Sequence, residues 1–172
     1  MRPEKAHEDL LQAIANLRAR HLNVKCLLIG DGPERSRIDA KIHAMGLASH
    51  VGITGLMIDV RKAIIACDVM ALVSHHIETF SIAALEAMAL GKPMIMSDIG
   101  GANEQIIPGQ NGYLYKRGDI DALADALYQL MESKKRSQMA HHARSIVVHK
   151  FSLGAMVNAY DQLFVRLAEP HA

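Results

Sequence analysis

Two glutamates, Glu78 and Glu86, are the residues of this chain whose type and spacing best suit ligand chemistry. Glu78 lies in the polar segment HHIETFS, which follows the apolar run DVMALV and precedes the helix-forming segment SIAALEAMAL. In α/β proteins, a loop that runs from the carboxyl end of a buried strand into a helix is where ligands are held. We therefore expect Glu78 to accept hydrogen bonds from ligand hydroxyls. The alternative is that it caps the helix and interacts favourably with the helix dipole.

Glu86 differs because nearly all of its neighbours in SIAALEAMAL are apolar. An ionised carboxylate in apolar surroundings is costly unless donors pair with it. The two hydroxyls of a ribose would supply such donors without adding charge. The alternatives are that Glu86 lies on a solvent-exposed stripe of the helix or pairs with Lys92.

The amino terminus of this helix offers backbone donors. The N–H groups of Phe80, Ser81 and Ile82 have no partner within the helix, and such groups favour a phosphate. The side chain of Thr79 or Ser81 is also suited to capping the helix, and the two roles are compatible.

A second candidate ligand segment follows the apolar run ending at Ile29. The segment 30–33, GDGP, is neither GxGxxG nor a P-loop, and a tight turn explains it most simply. Thr54 and Gly55 close another short apolar run, at 51–54.

Helices and strands must position these residues, and the hydrophobic pattern predicts such elements along the whole chain. Strands are expected at 24–29, 51–54, 68–73, 93–97 and 112–115. Helices are expected at 6–20, 34–45, 59–66, 80–90, 102–107, 120–132, 135–149 and 152–167. The alternation of helices with buried strands predicts an α/β fold with a doubly wound parallel sheet, in one domain covering 1–172.

The first predicted element is a helix, whereas a doubly wound domain begins with a strand that is normally central. Only MRPEK precedes Ala6, and it has no strand pattern. We therefore expect the sheet to lack its first strand. A fold that genuinely begins with a helix is the alternative.

Composition limits the class of protein. The chain has 172 residues, is 50% hydrophobic and carries a net charge of +1, and only 4% of its residues are aromatic, so no nucleic-acid-binding surface is indicated. The charged segment MRPEKAHEDL is not a signal peptide, and no apolar run reaches the roughly 18 residues of a membrane span. Cys26 and Cys67, both in apolar surroundings, are expected to be free thiols. These features predict a cytoplasmic protein, with peripheral membrane association left open.

The segments ETFSIAALEAMALGKPMIMSDIGGANEQI and GQNGYLYKRGDIDALADAL carry a family resemblance. They resemble the carboxy-terminal domain of family-four retaining glycosyltransferases of the GT-B fold, in which Glu78 and Glu86 match the E-x7-E motif. LLIGDGPER and ACDVMALVS match preceding blocks, and the likeness extends from about Glu4 to Leu163.

The resemblance implies a Rossmann-like domain that binds the nucleotide-sugar donor. It implies that Glu78, the candidate catalytic residue, binds the donor sugar hydroxyls, that Glu86 holds the ribose and that Lys5 neutralises the diphosphate. The remaining implied donor-binding positions are Gly30 and the backbone at Thr79, Phe80, Ser81 and Ile82, and the base is expected near Thr54 and Gly55. No metal or other cofactor is implied, and the donor is UDP- or GDP-linked.

The chain departs from the family pattern in several places, and these departures limit the activity that we expect of it. Ser81 and Ala6 stand where the family usually has glycine. The resemblance covers only the carboxy-terminal domain, so we expect the family's amino-terminal acceptor domain to be missing and the final segment, 151–172, to be the part that would pack toward it. We therefore expect half of a retaining glycosyltransferase acting on a glycan or lipid-linked acceptor, inactive alone. The alternatives are a non-catalytic or partner-completed nucleotide-sugar-binding module and a nucleotide-sugar 2-epimerase.

Overall fold

A computed structural model describes residues 1–76 and 78–168. Its strands are β1 (Cys26–Leu28), β2 (Val51–Ile53), β3 (Met70–Leu72), β4 (Met94–Ser97) and β5 (Gly112–Tyr115). Its helices are α1 (His7–Ala19), α2 (Arg35–Ala44), α3 (Arg61–Ala66), α4 (Ile82–Ala89), α5 (Ala102–Gln105), α6 (Ile120–Gln129), α7 (Ser133–Lys150) and α8 (Leu153–Ala168). A 3₁₀ turn, Pro3–Lys5, precedes α1. Every predicted strand and helix is present in the predicted order, with ends that differ by a few residues.

The strands form two parallel groups. β1 pairs with β2, and β4 lies between β3 and β5. All three pairings are parallel. The α/β parallel fold is confirmed, but among the described residues no strand joins β1 to β3, so the sheet is divided.

Strand β4 shows how helices cover both faces of the sheet. Ile95 belongs to one apolar cluster, with Leu11 of α1 and Leu123 of α6. Met94 and Met96 belong to the other cluster, which includes residues of α4 and α7. Because successive strand residues point to opposite faces, this sorting is what a doubly wound sheet requires.

Helix α8 is different, since none of its residues is buried. Phe80 and Phe151 make an edge contact just before α8, with ring centroids 5.4 Å apart. The expected packing of 151–172 against another domain stays a prediction, and its residues 169–172 lie outside the described residues. Among the helices described, none combines the length and apolarity that crossing a bilayer demands.

The two cysteines are free and half-buried, as the sequence predicts. Burial raises the pKa of the Cys26 thiol to about 12, so it stays protonated at neutral pH. Cys26 is therefore a packing residue rather than a reactive thiol.

Candidate functional site

The site loop, residues 74–76 and 78–81, connects β3 to α4. Its last residue, Ser81, caps the helix, because its Oγ accepts a hydrogen bond from the N–H of Ala84 at 3.3 Å. Ser81 has the extended backbone typical of a capping residue. The predicted cap is therefore Ser81, whereas Glu78 makes other contacts.

A buried glutamine holds the end of this loop. Gln105 is 0% exposed; its Oε1 accepts from the Ser81 N–H at 3.0 Å and its Nε2 donates to the Ser81 carbonyl at 2.9 Å. The Ser81 N–H is thus occupied, and its predicted availability to a phosphate is wrong. The N–H groups of Ile82 and Ala83 make no hydrogen bond to any other described residue, so they are the donors that α4 presents.

The glycine pair Gly100-Gly101 packs against the backbone of the site loop. A Cβ on Gly100, whose φ is +54°, would lie 1.5 Å from the Glu78 carbonyl oxygen, and one on Gly101 would lie 2.4 Å from that of Thr79. The Gly101 N–H also donates to the Thr79 carbonyl at 2.6 Å. The two glycines therefore allow a close approach between protein segments and position the loop.

The side chain of Glu78 lies in a polar cluster with Lys5 and Ser74. Its side chain is 14% exposed, and its Oε2 lies 2.7 Å from Lys5 Nζ. Ser74 Oγ donates to the same oxygen at 3.1 Å, and Ser97 Oγ donates to the Ser74 carbonyl at 2.6 Å. The structure thus brings the predicted residues Lys5 and Glu78 together as an ion pair that two buried serines support.

Glu86 is exposed, although its sequence neighbours are apolar. Ala84, Ala87 and Met88 take the buried face of α4, which leaves Glu86 on the opposite, solvent-exposed side. No hydrogen bond or salt bridge to the Glu86 carboxylate is found among the described residues, and Lys92 donates instead to the Ile65 carbonyl at 2.9 Å. The solvent-exposed alternative therefore describes Glu86 in this state.

Six of the predicted site residues line one cavity of about 1330 Å³. They are Lys5, Glu78, Phe80, Ser81, Ile82 and Glu86. The same cavity continues along β1 and β3. Both glutamates, the lysine and the amino terminus of α4 thus face a single space.

The other predicted residues lie outside the wall of this cavity. Thr79 is exposed on the site loop. Gly30 follows β1, and its N–H donates to Thr54 Oγ1 at 3.1 Å. Gly30 also forms an antiparallel bridge with Gly55, so Gly30, Thr54 and Gly55 make a separate cluster beyond the ends of β1 and β2.

The segment from Met1 to Lys5 connects the carboxyl ends of two strands. The amino group of Met1 donates to the carbonyl of Asp31, which follows β1. His75, which follows β3, donates its N–H to the Glu4 carbonyl at 2.8 Å. These contacts place Lys5 beside the site loop.

The sequence did not single out the residues that support the site. Gln105, Ser74 and Ser97 carry no motif signal of their own, and their roles depend on partners that are 23 or 24 positions away. In sequence, Gln105 is marked only by its place in the segment GGANEQI, shortly after a glycine pair.

The sequence of this chain is similar to that of known proteins over most of its length. The sequence profile of the family described as "Glycosyl transferases group 1" matches residues 1–146. One curated relative is N-acetyl-alpha-D-glucosaminyl L-malate synthase of Bacillus anthracis, which is 32% identical over 95% of this chain and 42% of its own length. Another is alpha-D-kanosaminyltransferase of Streptomyces kanamyceticus, at 31% identity over 93% of this chain and 41% of its own length. The chain thus spans less than half the length of these relatives.

Solved structures give the same picture. Anabaena HepE, crystallised with UDP, superposes with a TM-score of 0.86 at 27% identity, covering 96% of this chain and 46% of that one. The carboxy-terminal domain of the glycosyl transferase group 1 protein LpcC of Francisella tularensis superposes with a TM-score of 0.79 at 25% identity. That comparison covers 89% of this chain and 83% of the LpcC domain. The fold described above is therefore that of a carboxy-terminal domain of such a protein.

Proposed function

Because the chain belongs to the glycosyl transferases group 1 family, we propose that it is the donor-binding domain of a retaining glycosyltransferase. The full enzyme would transfer a hexosyl group from a UDP- or GDP-sugar to a glycan or lipid-linked acceptor. The observation that supports this most directly is the shared cavity, onto which Lys5, Glu78, Glu86 and the amino terminus of α4 all open.

The diphosphate is assigned to Lys5 and to the N–H groups of Ile82 and Ala83. In transfer, the bond between the anomeric carbon and the diphosphate oxygen breaks, and a bond to an acceptor oxygen forms as that hydroxyl loses its proton. Negative charge then accumulates on the leaving diphosphate. A lysine and free helix donors stabilise such charge without a metal, so binding is proposed to be metal-independent.

Glu78 is assigned to the donor sugar. In the described state its Oε2 holds Lys5 Nζ at 2.7 Å, so each group neutralises the other. A diphosphate would compete with Glu78 for Lys5, and the sugar hydroxyls would then donate to the released carboxylate. This exchange keeps both charges paired before and after binding, which matters because unpaired charges are costly in a partly buried site.

Glu86 is assigned to the ribose and the cluster of Gly30, Thr54 and Gly55 to the base. Glu86 has no competing partner among the described residues and faces the same cavity as Lys5. Its exposed carboxylate is thus ready to accept two hydroxyl donors. The cluster at Thr54 lies beyond the ends of β1 and β2, where a base extending from the ribose would reach backbone groups.

Calorimetric titration of UDP, GDP and their sugars against wild type, Glu78→Gln and Glu86→Gln tests these roles. Loss of a charge-assisted hydrogen bond is worth about 1.5–3 kcal/mol, or roughly 10- to 100-fold in affinity. Glu86→Gln should weaken bare nucleotide and nucleotide sugar alike. Glu78→Gln should weaken the nucleotide sugar while strengthening the bare nucleotide, because Lys5 is released. Glu104→Gln, on the exposed surface outside the cavity, is the matched control.

Two results would contradict the assignment. If both variants lost the same affinity for the bare nucleotide, the proposed division of roles between Glu78 and Glu86 would be wrong. If EDTA abolished nucleotide binding, the site would not be metal-independent. We also propose that the purified 172-residue chain binds donor without transferring the sugar. Glycosyl transfer by that chain alone, measured with a radiolabelled donor, would overturn this part.

A further inference from the structure

Lys5 belongs to a segment that apolar packing does not hold in place. It ends the 3₁₀ turn Pro3–Lys5, which buries none of its residues. Ala6 then takes the left-handed conformation, with a φ of +46°, before α1 begins at His7. Residues other than glycine seldom adopt this conformation, and it persists only where the surrounding contacts enforce it. The position of the Lys5 side chain therefore depends on polar contacts to the residues on either side of it.

One residue of the site loop, His75, makes contacts on both sides of Lys5. Its backbone N–H donates to the Glu4 carbonyl at 2.8 Å. Its ring Nε2 lies 2.5 Å from Oδ2 of Asp9, which is in the first turn of α1. Because an ionised carboxylate only accepts hydrogen bonds, Nε2 carries the proton of this contact. His75 thus connects the turn before Lys5 and the helix after it to the same loop.

The contact between Asp9 and His75 is partly sheltered from water. The side chain of Asp9 is 15% exposed and that of His75 is 37% exposed. Tyr115 lies near Asp9, and its buried hydroxyl has no hydrogen-bond partner among the described residues. Burial raises the pKa of Tyr115, and the negative charge of Asp9 raises it further. Asp9 is therefore paired with the site loop although a second donor lies close to it.

The residue before His75 holds the other member of the ion pair. Ser74 Oγ donates to Glu78 Oε2 at 3.1 Å. Arg117, which follows β5, donates from Nη1 to the His75 carbonyl at 3.0 Å and so fixes the loop from a third side. Two consecutive loop residues thus set the positions of both charges, Ser74 by contacting Glu78 and His75 by contacting the segment that carries Lys5. The distance of 2.7 Å between Lys5 Nζ and Glu78 Oε2 depends on both.

We propose that His75 is a positioning residue for donor binding. Through Asp9, its ring holds the segment that carries Lys5, so that the Lys5 amino group lies opposite Glu78 and faces the cavity. A diphosphate then meets a charge that is already in place, whereas an unrestrained lysine side chain would lose conformational freedom on binding. The inference rests on the proposed function, in which Lys5 receives the diphosphate, but the placement of Lys5 is measurable without any ligand.

The first measurement is hydrogen exchange of the Lys5 ammonium group, followed by ¹H–¹⁵N NMR in the full chain without ligand and assigned with Lys5→Arg. The ion pair slows this exchange in the wild type, and His75→Ala should speed it roughly fivefold. His75→Gln, whose side-chain amide donates in place of the ring, should restore most of the protection. Asp9→Ala should match His75→Ala, and the double variant should lose no more than either, because the two side chains form one contact.

The second measurement is calorimetric titration of UDP-glucose and GDP-mannose. Whichever of the two binds the wild type should bind His75→Ala about five- to tenfold more weakly, because the charge that meets the diphosphate is no longer held in place. His75→Gln should again recover most of the affinity. If neither nucleotide sugar binds the wild type, the proposed function fails, whereas exchange at Lys5 still decides the positioning role.

Two variants serve as matched controls. His76→Ala removes an exposed histidine at the next position of the same loop. Tyr115→Phe removes the buried hydroxyl that lies near Asp9 without touching the contact to His75. Both should leave exchange at Lys5 and nucleotide-sugar affinity unchanged. Unchanged exchange at Lys5 in His75→Ala would overturn the proposal, as would an equal effect of either control or a loss in His75→Gln as large as that in His75→Ala.

Discussion

The two sheets of this molecule differ in how completely they are covered. The three-stranded sheet places β4 between two neighbours and two helical layers, and every residue of β4 is buried. The two-stranded sheet leaves one edge of β1 open, and Leu27 is 38% exposed. Both strands are short apolar runs, so the difference arises from their neighbours and not from their composition.

The buried residues that position the candidate site lie in or beside the three-stranded sheet. Ser74, Ser97 and Gln105 are buried there and hold the loop that carries Glu78. The other cluster, at Gly30 and Thr54, lies at the ends of the strands of the two-stranded sheet. The residues proposed to bind the sugar thus lie on the better-packed side, and those proposed for the base lie on the less supported side.

The largest expected difference between the sheets concerns core truncation. Ile95→Ala should lower the free energy of unfolding by about 2–5 kcal/mol, because Ile95 is 0% exposed and the cavity cannot collapse between two layers. Leu27→Ala should cost less than about 1 kcal/mol, since its side chain already borders open space. Urea denaturation of both variants measures the difference. Similar losses would mean that the open edge of β1 is covered in solution.

The next effect concerns the glutamine that holds the site loop. Gln105→Ala should cost about 2–3 kcal/mol, because it leaves the buried Ser81 N–H without a partner. Glu104→Ala, at an exposed neighbouring position, should change stability by less than about 0.5 kcal/mol. Thermal denaturation of the pair checks this. Equal stability of the two variants would show that the loop is held by other contacts.

A smaller loss is expected from the serine beneath the ion pair. Ser97→Ala should cost about 1–2 kcal/mol, because the buried Ser74 carbonyl loses its donor at 2.6 Å. Ser49→Ala, on the exposed surface, is the control and should be nearly neutral. The same denaturation measurement distinguishes them. A neutral Ser97→Ala would remove the buried support assigned to Ser74.

The smallest expected effect is a dependence of stability on pH that arises from His7, the first residue of α1. Burial lowers the pKa of His7, and the nearby positive charges of the Met1 amino group and Lys5 lower it further, with Glu34 opposing them. Below the ordinary pKa of about 6.5, the unfolded chain therefore binds the proton more readily than the folded chain. The stability contributed by neutral His7 is present above that pH and is lost as the pH falls through the lowered folded value.

His7→Gln should flatten the fall in unfolding free energy as the pH drops below about 6.5. His141→Gln, an exposed histidine in α7, is the matched control and should leave the slope unchanged. Urea denaturation between pH 7 and pH 5 measures both slopes. If the unfolding free energy of His7→Gln fell with pH as steeply as that of the wild type, the acid sensitivity would come from other residues.

Much of the fold was readable from residue patterns. Short apolar runs marked all five strands, and helical spacing marked the helices, because each pattern reflects local burial. The motif of Glu78 and Glu86 likewise identified the loop and helix that border the cavity. The sequence left open whether Glu86 is exposed, because burial depends on which face of α4 packs inward and the neighbours of Glu86 in sequence do not fix that face.

By itself, the sequence determined the alternation of helices and strands, the position of the two glutamates and the absence of any strand pattern before Ala6. Only the tertiary structure decided that Glu78 pairs with Lys5, a partner 73 positions away. It also decided that Gln105 accepts the hydrogen bond of the Ser81 N–H, and that β1 and β3 are not paired with each other. The physical reason is that local patterns encode which residues avoid water, whereas hydrogen-bond partners and strand neighbours depend on where distant segments meet.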